Sequence, residues 1–129
     1  MATKKELFVY LSGKITGVPN LNKPKFRAAE MLLKKELTDR ERKYVWIFNP
    51  HDLPDDHDKS WGSYMRECIK VLCGCERTYV LDDWKDSKGA LVEVLVSKIL
   101  SIPVYDVDSF EPVKAGYIEI MTRLCIKLV

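Results

Sequence analysis

Apolar positions along the chain fall into short runs that alternate between two rhythms. "ELFVYLSG" (Glu6 to Gly13) is dense in aromatic and β-branched residues and stops at Gly, which predicts a first strand. "GKITGVPNLN" then reads as a loop, and Asn22 as the cap of a helix with Pro24 in its first turn. Phe26, Ala29, Leu32 and Leu33 give that helix a stripe of period 3.6. "YVWIFNP" (Tyr44 to Pro50) predicts a second strand halted by Asn-Pro. Ser60 caps a second helix carrying Tyr64, Met65, Cys68, Ile69 and Leu72 on one face. "RTYVLDDW" gives a third strand, Ser87 or Asp86 starts a third helix, and "IPVYDV" gives a fourth strand. After the turn "DSFEP", the stretch "GYIEIMTRLCIKLV" closes the series as a helix.

Strict alternation of strand and helix implies a parallel sheet, because each right-handed crossover returns its helix over the sheet. Nearly continuous apolar strands fit burial on both faces. The pattern therefore predicts an α/β fold: one doubly wound, flavodoxin-like or Rossmann-like parallel sheet of 4–5 strands, in the order 2-1-3-4, with helices on both faces. A single domain spans 1–129, with its core over about 6–107 and a C-terminal helix over about 115–128. In such sheets ligands bind beyond the carboxyl ends of the strands, near the switch point between strands one and three.

Composition narrows the possibilities. With 129 residues, 47% hydrophobic and 31% charged, the chain suits one soluble domain with a core of its own. A net charge of +2 with scattered basic residues makes no electrostatic case for nucleic acid. No apolar run approaches the roughly 20 residues of a membrane span. The opening "MATKKELFVYLSG" reads as a strand rather than a signal peptide. Cys68, Cys73, Cys75 and Cys125 lack zinc-ligand spacing and read as buried free thiols of a cytoplasmic protein. His51, His57, Asp52, Asp55, Asp56 and Asp58 crowd one loop, but without the ordered spacing of a metal site, so no metal is expected there.

Candidate chemistry gathers at strand ends. Tyr10-Leu-Ser-Gly-Lys-Ile-Thr-Gly17 carries glycines and small hydroxyls that let backbone N–H groups approach an anion or a sugar, yet it also serves as an ordinary strand-to-helix connection. It has neither P-loop nor GxGxxG spacing. Ser87, ahead of Gly89-Ala90, is an N-cap; the same helix N-terminus suits a phosphate. Glu93 stands in an otherwise apolar stretch of the third helix. Helical side chains lean over residues three and four earlier, here Ala90 and Gly89. Its carboxylate either tilts into the strand-end crevice, as a nucleophile would, or lies on one exposed strip with Ser97. Glu67 reads as surface and Cys68 as core.

Together these residues resemble the nucleoside 2-deoxyribosyltransferase superfamily. The nearest part is a branch common in bacteria and phages and described as a domain of unknown function (DUF4406). The resemblance runs from about Phe8 to Val104. It rests on Tyr10 to Gly17, Phe26 with Ala28-Ala29, Asn49-Pro50, Trp61 with Tyr64-Met65, and above all Trp84-x-x-Ser87-x-Gly89-Ala90-x-x-Glu93. It implies an N-glycosidic cleavage or base exchange on a nucleoside or its 5′-monophosphate, with Glu93 as nucleophile in a retaining double displacement. Tyr10 would orient Glu93 or the sugar. Gly13, Lys14, Ile15, Thr16 and Asn49 would line the base and sugar pocket, with Trp84, Ser87 and Gly89 completing the substrate site and Ser87 taking the 5′ hydroxyl or phosphate. Such relatives assemble as homodimers or higher homo-oligomers, and no cofactor is implied.

One departure stands out. Where active relatives place an Asp on the second helix, this sequence has Cys68. Glu67 reaching in, or Asp83 or Asp86 substituting, would restore proton transfer. Failing that, the chain is a nucleotide-binding module without turnover, or an interaction protein joined through its apolar third and fourth helices. Lys14 would favour a phosphate and Asp82-Asp83 would oppose one.

Overall fold

The computed structural model describes residues 5–54 and 60–128. Four parallel strands form one sheet in the order β2-β1-β3-β4: β1 Glu6–Ser12, β2 Tyr44–Phe48, β3 Arg77–Val80 and β4 Val104–Asp106. The helices are α1 Lys23–Glu41, α2 Trp61–Leu72, α3 Lys88–Ile99 and α4 Tyr117–Leu128. Short 3₁₀ turns at Pro19–Asn22, Pro50–Asp52 and Trp84–Asp86 each lie just after a strand end or just before a helix, so they sit at the carboxyl edge of the sheet.

Strand alternation sorts the core into layers. Leu7, Val9 and Leu11 of β1, with Val45 and Tyr79, meet the α1 stripe of Phe26, Ala29, Leu33 and Leu37. On the opposite face Tyr10 packs with Cys68 and Leu72 of α2. Val80 and Val104 pack on Ala90, Leu91 and Val94 of α3, and α4 adds Ile120 and Leu124 behind them. Burying each such large apolar side chain is worth roughly 1.5–3 kcal/mol before conformational entropy is subtracted.

Two expectations about burial need correction. Coverage of the sheet is incomplete: Tyr10 and Phe48 pack against α2, whereas Phe8, Tyr44 and Trp46 are exposed. Of the four thiols, Cys68 is buried and Cys75 half-buried, but Cys73 and Cys125 are exposed.

Caps follow the sequence with one exception. Ser60 accepts from Ser63 N and Ser87 from Ala90 N, so each satisfies an orphan N–H at its helix start. Asn22 occupies the N-cap of α1 but makes no capping bond; its backbone is left-handed, as are Asn20 and Leu21 before it. Its side-chain amide instead donates to Lys14 O (2.8 Å) and Asp83 Oδ2 (3.0 Å). Three successive non-glycine residues at positive φ each cost ~1–3 kcal/mol, which these cross-links help to hold.

Candidate active site

Glu93 is buried, with 5% of its surface exposed, and faces the sheet. The side-chain period of β1 sends Tyr10 and Ser12 to the same side. Ser12 Oγ donates to Glu93 Oε1 at 2.7 Å, and the Tyr10 hydroxyl donates to Oε2. One turn on, Ser97 donates to the Glu93 carbonyl (2.8 Å) and pairs with Thr78 of β3 (3.0 Å). Glu93 and Ser97 do share a strip of α3, but that strip is a buried polar seam against β1 and β3, not a solvated face.

Burial makes the anion costly and pushes the Glu93 carboxyl up to about 7; the hydrogen bonds from Ser12 and Tyr10 hold it lower than burial alone would. The Tyr10 phenol is raised well above its ordinary value, first by burial and then by the Glu93 charge, so it remains the donor.

Glu93 forms part of the wall of a cavity of about 600 Å³ at the carboxyl edge of the sheet. The Gly13–Thr16 loop forms one side and the start of α3 (Ser87, Lys88, Gly89, Ala90) another. Trp61, Tyr64 and Met65 of α2 stand opposite, and Leu21 and Lys23 enter through the left-handed turn before α1. Two glycines are set by close approach. A Cβ on Gly13 would meet the Leu81 side chain at 2.5 Å, and one on Gly89 would meet Met65 Sδ at 3.2 Å. Gly89 therefore lets α2 and α3 approach closely beside the site.

The remaining sequence candidates lie elsewhere. Asn49 is fully buried and accepts from His51 N (3.0 Å) while donating to Glu30 Oε1 (3.0 Å); both ends of its amide are engaged in shaping the turn after β2. Trp84 packs in the core beside Ala90 and Leu91 and is not a wall of the cavity. Asp83 accepts from Lys14 N (2.9 Å) and from Asn22, tying the β1 loop to the end of β3. Asp82 and Asp83 pair with Lys25 and do not form the cavity wall, so their charge is spent outside it. Glu67 is half-buried on α2, off the cavity wall. Of the crowded acidic loop, Asp52 pairs with Arg27 (2.8 Å), while Asp55, Asp56, His57 and Asp58 lie outside the described residues.

Other wall residues carried little signal in the sequence. His51 packs edge-on against Phe26 at 4.9 Å, and its Nε2 is buried without a partner among the described residues. Burial, then Lys23, pushes its pKa below the usual histidine value, leaving a neutral imidazole. Tyr64 donates to Pro50 O (3.4 Å), and its hydroxyl is raised by burial, so it stays protonated. Lys127 reaches the cavity from the last turn of α4. Cys68 sits against Tyr10 and Tyr64 behind the wall, its thiol pushed up to about 11 by burial and then by Glu93. Spacing put Tyr64 and Cys68 on one face of α2, but only long-range contact brings His51 and Lys127 to the same cavity.

A family model described as "Domain of unknown function (DUF4406)" matches residues 7–106. Among solved structures the chain is similar to a 2-deoxyribosyltransferase from the psychrotolerant bacterium Bacillus psychrosaccharolyticus. The TM-score is 0.56 and the identity 21%, over 77% of this chain and 70% of that one. At that identity the likeness is one of fold. No curated protein matches the sequence.

Proposed function

The chain belongs to the DUF4406 family, and on that premise we propose that it cleaves or exchanges the N-glycosidic bond of a nucleoside or nucleoside 5′-monophosphate, with Glu93 as nucleophile. The observation that carries this reading is a buried carboxylate, hydrogen-bonded at both oxygens, facing a cavity of about 600 Å³. The fold shared with a 2-deoxyribosyltransferase supports it.

A Glu93 oxygen attacks the anomeric carbon from the face opposite the base. The new C–O bond forms as the C–N bond breaks, and the base leaves with the bonding electron pair. Water or a second base then attacks the same carbon, releases Glu93 and restores the original configuration. Tyr10 and Ser12 keep the carboxylate oriented and ionisable, so little reorganisation is needed at the moment of attack. Tyr64 offers a protonated hydroxyl at the wall.

The test is incubation with nucleosides and nucleoside monophosphates, with free base followed by chromatography. Base release that disappears in Glu93→Ala is the expected result; release unchanged in that variant removes the reading.

Cys68 favours a second reading, a nucleotide-binding module without turnover. A thiol raised to about 11 is a weak proton donor at neutral pH, and loss of a general acid costs ~10²–10⁴-fold in rate. Ligand-dependent melting shifts without base release support this reading. Base release by the parent protein counts against it, whereas activity gained in Cys68→Asp from a silent parent would show that only the acid was missing.

A further inference from the structure

Among the described residues, charge on the cavity wall is one-sided. Four lysines line it: Lys14 after β1, Lys23 opening α1, Lys88 opening α3 and Lys127 from α4. Glu93 is the only acidic residue among the described wall residues. None of the four lysines pairs with a carboxylate among the described residues. Lys88 instead lies over the Trp61 ring, 4.0 Å from its centroid.

Such a surplus costs energy through mutual repulsion unless an anion joins it. A nucleoside brings no charge, and a single phosphate brings about −1.5 to −2 at neutral pH. The start of α3 already suits one phosphate through its unpaired N–H groups and partial positive charge. Four lysines on top of that helix end exceed what one phosphate group neutralises.

Lys127 also enters from a separate direction. The Lys85–Glu119 ion pair (3.1 Å) pins the first turn of α4 beside the approach to α3. Lys127 follows about two helical turns later, roughly 12 Å along the axis, and lies beyond the 7–106 stretch that the family model covers. The four lysines of the wall thus come from four separate elements, the β1 loop, α1, α3 and α4.

We propose that the cavity takes a nucleoside 5′-di- or triphosphate in preference to the nucleoside or its monophosphate, with Lys127 holding the distal phosphates. This rests on reading the cavity as a nucleotide site and goes further by naming the phosphate chain as what is recognised.

Calorimetric titration of the full chain, in metal-free buffer at fixed salt, with one nucleoside and its 5′-mono-, di- and triphosphates tests it. The expected result is an affinity gain of about tenfold or more beyond the monophosphate. Lys127→Ala should abolish that gain while leaving monophosphate affinity within about twofold, and Lys127→Arg should keep it. Equal or tighter binding of the monophosphate overturns the inference, as does an equal loss for every phosphorylated form in Lys127→Ala, or no binding of any. Base release measured in the same samples separates the two readings. Cleavage of the monophosphate without the affinity gain overturns this inference and leaves the glycosidic reading standing. The gain without base release from any member keeps this inference and removes the glycosidic one.

Discussion

Tyr10 in β1 donates its phenolic proton to Oε2 of Glu93 in α3, two residues 83 positions apart that meet inside the protein. The contact joins the centre of the sheet to the wall of the cavity. It gives the carboxylate a fixed direction, and it ties the ionisation of Glu93 to the packing of β1 against α3. Most of what the site is expected to do depends on that coupling.

Replacing Glu93 should change stability in a pH-dependent way. Its folded pKa, about 7, lies above the ordinary value of 4.5, so the folded state binds the proton more tightly than the unfolded chain. The stability from that preference is fully present below pH 4.5 and is lost as pH rises through about 7. A shift of this size corresponds to about 3 kcal/mol. Glu93→Gln, which cannot ionise, should therefore melt above the parent at pH 8, with the difference shrinking towards pH 4.5. Thermal melts of both proteins across that range check it; a difference independent of pH would show that burial does not govern this carboxyl.

Tyr10→Phe should move the pH dependence of base release. The Tyr10 hydrogen bond lowers the Glu93 pKa, and a bond to a charged group is worth ~1.5–3 kcal/mol. Without it the carboxylate ionises only at higher pH. The acid limb of kcat/KM, centred near 7 in the parent, should shift upward by about one unit or more, with a rate loss largest below pH 7. A pH-rate profile for parent and variant decides; an unmoved limb would separate Tyr10 from the ionisation of Glu93.

The architecture was readable because every strand and helix has its own local rhythm. Phe26, Ala29 and Leu33 mark α1 without any knowledge of their partners, and alternation of elements carries the parallel sheet, while its order 2-1-3-4 followed from likeness to flavodoxin-like sheets. Glu93 was readable as an anomaly, since a lone carboxylate among Leu91, Val92, Val94 and Leu95 asks for a reason. Its surroundings were not readable. Whether α3 turns that carboxylate to water or to Tyr10 depends on how it rolls against β1, a long-range packing outcome. The same holds for Asn49 and Trp84, whose motif positions are taken up by a turn and by the core. Lys127 escaped notice because a lysine in the last turn of an amphipathic helix ordinarily marks a solvated end.

Asn22 should reveal the strain in the loop before α1. It holds φ of 61° and bridges Lys14 O to Asp83. Asn22→Gly removes the hydrogen bonds but tolerates the left-handed backbone, whereas Asn22→Ala removes the bonds and adds strain. The expected losses are ~1–2 kcal/mol for Gly and about 1 kcal/mol more for Ala. Chemical denaturation of both variants measures the difference; Ala at least as stable as Gly would mean the turn relaxes out of its left-handed form.

Gly89→Ala tests whether the approach of α2 to α3 shapes the cavity. The new methyl would sit 3.2 Å from Met65 Sδ, closer than ordinary van der Waals contact, so the thioether must give way. Methionine is flexible, and an overpacked core site costs about 1–3 kcal/mol, so the variant should fold with a modest loss of stability. Gly89 is also part of the cavity wall, one helical turn before Glu93. Ligand affinity should fall more than the stability loss explains, because the methyl is added at the cavity wall. The double variant Gly89→Ala, Met65→Ala relieves the clash with sulfur but leaves the methyl in the cavity. Recovery of affinity in the double variant would assign the defect to helix spacing. Affinity that stays low would assign it to the space the methyl fills at the cavity wall.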